Sequence, residues 1–261
     1  MREPAALYEV RDHVAVLTLN RPDALNAVNA ELSAAAGAAL ARAAAAPEVR
    51  VVVITGAGRA FCAGADLEEL AAGRNIYDRE HRERDFAGIV RHWIPKPIIA
   101  AVNGFALGGG TEIVLTADLA VIDENAVLGL PEVRRGLIAA AGGLLRVHRQ
   151  VPAKVAAEIA FTGQPITAAR AYELGLVNRV AAAGTALATA LELAALIAAN
   201  APLAVQQSKT ALHESAAGQS GWSAAEWEVN RAAAKIVMTS ADAKEGPRAF
   251  AEKRAPRWTG R

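Results

Sequence analysis

Three consecutive glycines followed by a glutamate are the feature of this sequence with the clearest chemical potential. Gly108, Gly109 and Gly110 come after an apolar segment, residues 97–102, that predicts a buried strand, and Glu112 lies in the helix predicted next. Because glycine has no Cβ, its backbone can approach a ligand closely, and the unpaired N–H groups at a helix start favour negative charge. The segment therefore predicts a turn able to hold a developing oxyanion beside a carboxylate, as chemistry on a carbonyl requires.

A second segment has the same design. The apolar run at residues 51–54 predicts another buried strand, and a glycine-rich loop between Gly56 and Gly64 leads to a helix predicted from Asp66. An oxyanion site usually uses two converging backbone donors, so each loop could supply one. The loop is a poor match to a dinucleotide-binding fingerprint, because Phe61 stands where that pattern needs its third glycine.

Two glutamates are candidates for proton transfer near these loops. Taken alone, Glu112 could simply complement the helix dipole, and Glu132, which follows a proline, could be a surface or capping acid. Considered with the two glycine loops, they become a candidate catalytic pair. Cys62, the only cysteine, is expected to be a small buried residue rather than a nucleophile.

Length and composition limit the possible functions. The chain has 261 residues, 53% of them hydrophobic, and a formal net charge of +1, which argues against a nucleic-acid or acidic membrane partner. A single cysteine excludes an intrachain disulfide and Cys-rich metal sites, and the histidines lack metal-ligand spacing. We expect a soluble cytoplasmic protein without a signal peptide, membrane span, metal or cofactor.

Apolar strands alternating with helices predict an α/β fold with mainly parallel sheets. A helix is expected at residues 31–45, and mostly helices from about residue 152 onward, including a long amphipathic one at 222–238. A domain boundary is expected near residue 200. The charged residues crowded into 73–92 predict a solvated helix or mobile flap outside the core.

Several of these segments resemble motifs of the crotonase superfamily, the enoyl-CoA hydratase/isomerase family, in the order in which that family carries them. The resemblance covers nearly the whole chain and depends on residues 20–27, 61–67, 103–112, 131–133 and 249–254. It implies a crotonase-like spiral of ββα units over residues 1–199. It also implies a helical C-terminal region, 200–261, that takes part in oligomerisation and completes the coenzyme A (CoA) site.

The resemblance further implies an acyl-CoA substrate and self-association as a homotrimer or hexamer. CoA would be part of the substrate rather than a cofactor. The thioester oxygen would accept hydrogen bonds from the backbone N–H groups of Ala65 and Gly109. By the same resemblance, the residues that contact CoA would be Ala63, Asp66, Leu67, Arg21, Phe250 and Lys253.

In members that hydrate enoyl-CoA, two glutamates hold the reacting water, and those positions carry over to Glu112 and Glu132. The resemblance therefore implies an enoyl-CoA hydratase that adds water reversibly, in syn geometry, to a 2-enoyl-CoA to give a 3-hydroxyacyl-CoA. Glu112 is assigned as the water activator and Glu132 as the proton donor to C2. The alternatives are a crotonobetainyl-CoA (carnitinyl-CoA) hydratase, a Δ3,Δ2-enoyl-CoA isomerase that works with one carboxylate, and an acyl-CoA-binding protein without turnover.

Two positions depart from the family pattern. Glu68 stands where many members place a lysine that helps to hold a CoA phosphate, which puts that contact in doubt. Residues 138–143 replace the Pro-Gly-Ala-Gly-Gly run common in fatty-acid hydratases. The acyl chain length, its head group and the physiological direction of the reaction therefore stay open.

Overall fold

Two β-sheets and the helices packed around them form the described part of the chain. The structure, a computed structural model, describes residues 3–215, 232, 235–237 and 239–261. The strands are β1 Ala6–Arg11, β2 Val14–Leu19, β3 Val51–Gly56, β4 Ala60–Cys62, β5 Ile98–Val102, β6 Phe105–Leu107, β7 Leu119–Asp123, β8 Val127–Gly129, β9 Ile166–Thr167 and β10 Arg179–Ala181. The helices are α1 Ala30–Ala45, α2 Leu67–Ala71, α3 Gly109–Thr116, α4 Gly143–Gln150, α5 Ala153–Thr162, α6 Ala168–Glu173, α7 Ala186–Ala198, α8 Pro202–Ser215 and α9 Ala241–Ala251.

The larger sheet has the strand order β1-β2-β3-β5-β7-β10. Only β1 and β2 pair antiparallel, and the other neighbours are parallel. Strands buried on both faces carry continuous apolar sequence, as β3 and β5 do. The prediction of an α/β fold with mainly parallel sheets is confirmed.

Successive residues of β3 pack into different parts of the core because side chains alternate across a strand. Val51 and Val53 pack with the buried alanines that recur every fourth residue along α7, whereas Val52 and Ile54 face the main core. Small alanines let α7 lie close to the sheet. This packing holds α7 against the larger sheet.

The smaller sheet contains the short strands that precede the glycine loops. Its order is β4-β6-β8-β9, with β4, β6 and β8 parallel and β9 antiparallel. The expectation that each loop follows directly from the strands at residues 51–54 and 97–102 was therefore wrong. After β3 and β5 the chain turns and forms a second short strand, β4 or β6, and the loop begins where that strand ends.

Residues 73–92 differ from the predicted solvated helix or flap. The segment is irregular, with short 3-10 turns at Arg82–Arg84 and Phe86–Gly88, and it buries Ile76, Phe86 and Val90 in the main core. Its charged side chains are mostly on the outer side, which is why the composition was misleading. Long irregular segments inside a compact domain are commonly functional.

Most helix predictions are confirmed. Helix α1 buries the predicted face, with Leu32, Ala36, Leu40 and Ala43 inside, and Asn29 caps its start. The helix predicted at residues 222–238 lies almost wholly outside the described residues. Within the described helices, none alone is long and apolar enough to cross a membrane; α7 and α8 pass such a test only as a pair bent by 105°.

Candidate active site

Three parallel strands of the smaller sheet deliver the predicted site residues to one edge. The loop with Ala65 follows β4, the loop with Gly109 follows β6, and Glu132 follows β8. The carboxyl ends of adjacent parallel strands lie at the same edge of a sheet, where ligands usually bind. The topology therefore brings together four groups that are up to 67 positions apart: two amides and two carboxyls.

The two glycine loops are in contact. Gly64 has φ +98°, and a Cβ added there would lie 2.9 Å from the carbonyl oxygen of Leu107 and 3.4 Å from the amide nitrogen of Gly109. Residue 64 must therefore be glycine both for its backbone conformation and for the close approach. The next residue, Ala65, forms a parallel bridge with Val28 that fixes the first loop.

The backbone N–H groups of Ala65 and Gly109 are free to donate hydrogen bonds to a ligand. Bonds on either side of Ala65 tie the loop down, from Val28 N–H to the Gly64 carbonyl at 2.8 Å and from Asp66 N–H to the Val28 carbonyl at 3.0 Å. In the described residues, the N–H groups of Ala65 and Gly109 themselves have no backbone or side-chain acceptor. A pair of unpaired donors on touching loops can hold a negatively charged oxygen.

Gly109 is also covered by an aromatic ring. A Cβ added to Gly109 would overlap the ring of Phe86, which is 4% exposed. The turn that carries Phe86 has two non-glycine residues with positive φ, Asp85 at φ +59° and Ala87 at φ +57°. Such strained residues persist only where packing holds them, so the ring has a fixed place beside the second loop.

Glu112 projects from the first turn of α3 and is 3% exposed. Its Oε1 accepts a hydrogen bond of 2.8 Å from the N–H of Gly143 at the start of α4. The pKa of Glu112 is raised to about 7, chiefly by burial and also by the charge of Glu132, while amide donors and Arg146 oppose the rise. A carboxyl with a pKa near neutrality can take up and release a proton under working conditions.

Glu132 lies in a short 3-10 turn, Pro131–Arg135, directly after β8. Its Oε1 is beside the second loop, since a Cβ added to Gly108 would lie 3.2 Å from it. Its Oε2 is buried and has no hydrogen-bond partner within the described residues. Burial raises the pKa of Glu132 as well. The interpretation as an isolated surface acid therefore does not fit the structure.

A groove of about 620 Å³ begins next to the first loop. Three residues expected at the CoA site line it, namely Arg21, Asp66 and Leu67. Arg21 donates to the Asp66 carboxylate at 2.9 Å and also to the Ala27 carbonyl, so its guanidinium is fixed. Asp66 caps α2 by accepting from the amides of Glu68 and Glu69.

The groove is acidic. The described side chains that line it include one cation, Arg21, and five carboxylates, those of Glu3, Asp23, Glu31, Asp66 and Glu68. Ala63, another expected CoA contact, is outside this lining and donates its amide to the Leu25 carbonyl at 3.0 Å. Lys253 is exposed and does not line the groove in the described structure, and the side chain of Phe250 lies outside what is described.

Sequence reasoning missed several contributors to the site. Gly143 was noted only as part of a departure from the family pattern, although its amide binds Glu112. Phe86 and Tyr77 belong to the segment expected outside the core, yet Phe86 covers Gly109 and the charge of Glu112 raises the pKa of Tyr77, after burial and Asp85. Their apolar side chains within a charged segment were the available signal.

Cys62 is completely buried, as expected of a small core residue. Burial raises the pKa of its thiol to about 12, so it stays protonated and is a poor nucleophile. In the described ranges there is no group of three or more His, Cys, Asp or Glu side chains placed to hold a metal ion.

Comparisons with known proteins identify the family. The family model for enoyl-CoA hydratase/isomerase matches residues 9–261. An enoyl-CoA hydratase of Mycobacterium tuberculosis, EchA19, is 39% identical over 99% of this chain and 97% of its own. The mevalonyl-coenzyme A hydratase sidH of Aspergillus fumigatus is 42% identical over 94% and 91%.

A solved structure supports the same family. The crystal structure of a carnitinyl-CoA hydratase from Mycobacterium avium has a TM-score of 0.80 and 51% identity, and it covers 100% of both chains. Relatives named for three different acyl groups are thus similar to this chain to comparable degrees. A match of this extent shows common descent, and the chain belongs to the enoyl-CoA hydratase/isomerase family of the crotonase superfamily.

Proposed function

We propose that this protein is an enoyl-CoA hydratase, which adds water reversibly and in syn geometry across the C2–C3 double bond of a 2-enoyl-CoA. The observation that carries the proposal is the meeting of two unpaired amides with the buried carboxyl of Glu112 and the half-buried carboxyl of Glu132 at one sheet edge. The relatives named as hydratases support the same type of reaction. CoA is then part of the substrate, and no separate cofactor is required.

The amides of Ala65 and Gly109 would bind the thioester oxygen. Conjugation with the thioester makes C3 electrophilic, and negative charge collects on that oxygen as the hydroxyl adds. Donors already fixed in place stabilise this charge without reorganisation, and losing one such donor typically costs about 10²–10³ in rate. The bridge from Val28 and the ring of Phe86 hold the two loops that carry these donors.

The two glutamates would divide the proton transfers. Water gives its hydroxyl to C3 and a proton to the Glu112 carboxylate, while protonated Glu132 gives its proton to C2. The product thereby gains one hydroxyl and one hydrogen, and the acquired proton on Glu112 must return to Glu132 or solvent before the next cycle. A positioned acid or base contributes about 10²–10⁴ in rate.

The surroundings of each carboxyl support this division. Glu112 accepts an amide hydrogen bond and is influenced by the positive charge of Arg146, and both interactions favour its ionised form. Glu132 has a buried oxygen without a partner, which favours its protonated form. A retained second carboxyl also favours hydration over double-bond isomerisation, which can proceed with one.

The identity of the acyl group in the substrate is a separate question from the type of reaction. We include crotonobetainyl-CoA among the candidate substrates because a carnitinyl-CoA hydratase structure is 51% identical to this chain. A mevalonyl-CoA hydratase at 42% identity makes branched, hydroxylated acyl groups a further class. All three use the same hydration chemistry, so the proposal for the reaction does not depend on the choice among them.

We also propose that residues 200–261 take part in self-association as a homotrimer or hexamer, and that Lys253 contacts a CoA phosphate from that region. Because the described lining of the groove is mostly acidic, we expect the cation that contacts the CoA phosphate to come from outside the groove. Three large apolar side chains outside residues 200–261, Ile138, Leu145 and Phe161, are 65%, 66% and 78% exposed and would be covered by another copy. Light scattering after gel filtration measures the number of copies.

The direct test is loss of the 2-enoyl thioester absorbance when purified protein is mixed with crotonyl-CoA. Crotonobetainyl-CoA and branched enoyl-CoA thioesters in the same assay define the acyl preference. Glu112→Gln and Glu132→Gln should each lower the hydration rate by about 10²–10⁴ while leaving acyl-CoA binding largely intact. Gln keeps the size of the side chain and removes its ability to exchange a proton.

Three outcomes would contradict the proposal in different ways. Turnover like that of the unmodified chain in both variants would rule out the two-carboxyl mechanism. Acyl-CoA binding without turnover of any thioester would indicate a binding protein. Conversion of 3-enoyl-CoA to 2-enoyl-CoA that survives Glu132→Gln would indicate an isomerase.

A further inference from the structure

The loop at residues 139–142 and the first residue of α4, Gly143, hold the carboxyl of Glu112. The Gly143 amide is 2.8 Å from Oε1, and the backbone of Ala141 also helps to lower the pKa of the carboxyl. A Cβ added to Gly143 would lie 2.9 Å from the same oxygen, so the carboxylate fits closely against the start of the helix. The position of this loop therefore determines where the Glu112 oxygens point.

Arg146 folds back from α4 across this loop. Its Nη1 donates to the Ala141 carbonyl at 3.4 Å, and its Nη2 donates to the Val90 carbonyl at 2.7 Å. Gly142, at φ +96°, leaves room for the guanidinium, since a Cβ on that residue would overlap Nη1. One planar group thus links the loop that holds Glu112 to residues 73–92, which carry Phe86 over Gly109.

Charged and titratable groups from three elements surround this pair. The Glu112 carboxyl is influenced by Glu132 after β8 and by Arg146 on α4, and it in turn influences Tyr77 in segment 73–92. Arg146 is influenced by Glu112, by its helix neighbour Arg149 and by Asp85. Among these groups, Arg146 is the cation whose charge lowers the pKa of Glu112.

We propose that Arg146 is a positioning residue for Glu112: by bridging the Ala141 and Val90 carbonyls it fixes the loop that orients the carboxylate. The assignment of Glu112 as the water activator is part of the proposed function, and this inference rests on it. Arginine suits the task because its rigid fork donates to two acceptors at once and stays charged.

The test compares three variants in the crotonyl-CoA assay as a function of pH. Arg146→Met should lower kcat by about 10–100-fold with little change in KM, because the donors of Glu112 lose their fixed position. It should also move the acidic limb of the pH–rate profile upward, because losing a nearby cation raises the pKa of Glu112. Arg146→Lys should return the limb toward its original pH while restoring only part of kcat, since lysine supplies charge without the fork.

Arg149→Met is the matched control, an exposed arginine on the same helix, and should stay within about twofold of the unmodified chain. If Arg146→Met keeps the acidic limb at its original pH, the proposal is wrong, whatever the change in rate. If Arg146→Met does not fold, Arg146→Lys and Arg146→Gln take its place. An acidic limb at its original pH together with full kcat in both of these variants would then overturn the proposal.

A readout without turnover separates this inference from the proposed function. Carbon-13 labelling of the glutamate side chains follows the titration of Glu112 by NMR, with Glu112→Gln used to assign its signal. A higher pKa in Arg146→Met supports the inference even if crotonyl-CoA is not hydrated. An unchanged pKa contradicts it even if the unmodified chain is an efficient hydratase.

Discussion

Asp66 and Glu112 occupy comparable places in the two strand–loop–helix units, yet their environments differ in kind. Each follows a glycine-containing loop, each lies at the start of a helix, and they are 8% and 3% exposed. Burial would raise the pKa of Asp66, but Arg21 and two amides outweigh it, so that the pKa is lowered. For Glu112, burial and Glu132 prevail, and the pKa rises to about 7.

The comparison shows that burial alone does not make a carboxyl a candidate for proton transfer. What matters is whether the surrounding donors fully compensate the charge. Asp66 has a fixed guanidinium and two cap bonds that compensate its charge, so its ionised form is favoured. Glu112 is only partly compensated and faces a second carboxyl, so a proton can move on or off it near neutral pH.

Among the changes that bear on this comparison, Gly109→Ala should have the largest effect, and it tests whether the second loop carries the chemistry. The added Cβ would overlap the Phe86 ring, so the loop must move and its amide would be displaced from the thioester oxygen. We expect kcat for crotonyl-CoA to fall by about 10²–10³. Gly246→Ala in α9, where the added Cβ would meet Trp258 at an ordinary 3.4 Å, is the control and should keep its rate.

The pH dependence of kcat/KM separates the two carboxyls next. Because Glu112 must be ionised to accept a proton from water, the rate should fall about tenfold per pH unit below its pKa of about 7. Asp66→Asn should leave this limb in place, since the Asp66 pKa is already lowered by Arg21 and the cap bonds. An acidic limb that moves in Asp66→Asn would remove the distinction between the two carboxyls. A limb that keeps its pH in Glu112→Asp would do the same, because it would then report the titration of an unrelated group.

Stability should respond with opposite signs at the two positions. The pKa of Asp66 is lowered in the folded protein, so its contribution is present above its unfolded pKa and is lost as pH falls. At pH 8, Asp66→Asn should lower the free energy of unfolding by about 1 kcal/mol, because asparagine can keep the cap but loses the charge that pairs with Arg21. Urea titration measures this change.

The sign is reversed for Glu112. Its folded pKa is raised to about 7, so its contribution is present below the unfolded pKa and is lost as pH rises through 7. At pH 8, Glu112→Gln should therefore leave the free energy of unfolding unchanged or raise it. A loss at pH 8 equal to that of Asp66→Asn would show that both acids are structural.

The smallest expected effect concerns the acidic groove beside Asp66. Glu68→Lys replaces a carboxylate of the groove by a cation and should lower KM for CoA thioesters by about two- to fivefold at low salt, with kcat unchanged. Glu80→Lys, an exposed acid outside the groove, makes the same charge change and should have no such effect. Equal changes in both would indicate general steering rather than a local contact.

The N-terminal half of the fold could be predicted in large part from the sequence. Continuous apolar runs at residues 51–54 and 98–102 can be buried on both faces only in a parallel sheet, and the periodicity of α1 defined its buried side. Residues 73–92 could not be predicted in this way. Their composition is dominated by charged side chains that lie outside, while a few apolar residues decide where the segment packs.

By itself, the sequence determined which groups were available for chemistry: two glycine turns able to expose amides, and two acids placed after turns. Only the tertiary structure decided that these groups share an edge, because two short parallel pairings of two residue pairs each, β4 with β6 and β6 with β8, align the three strands. It also decided that Glu112 and Asp66 behave differently, since a pKa depends on neighbours such as Arg21, Glu132 and Gly143 that are distant along the chain.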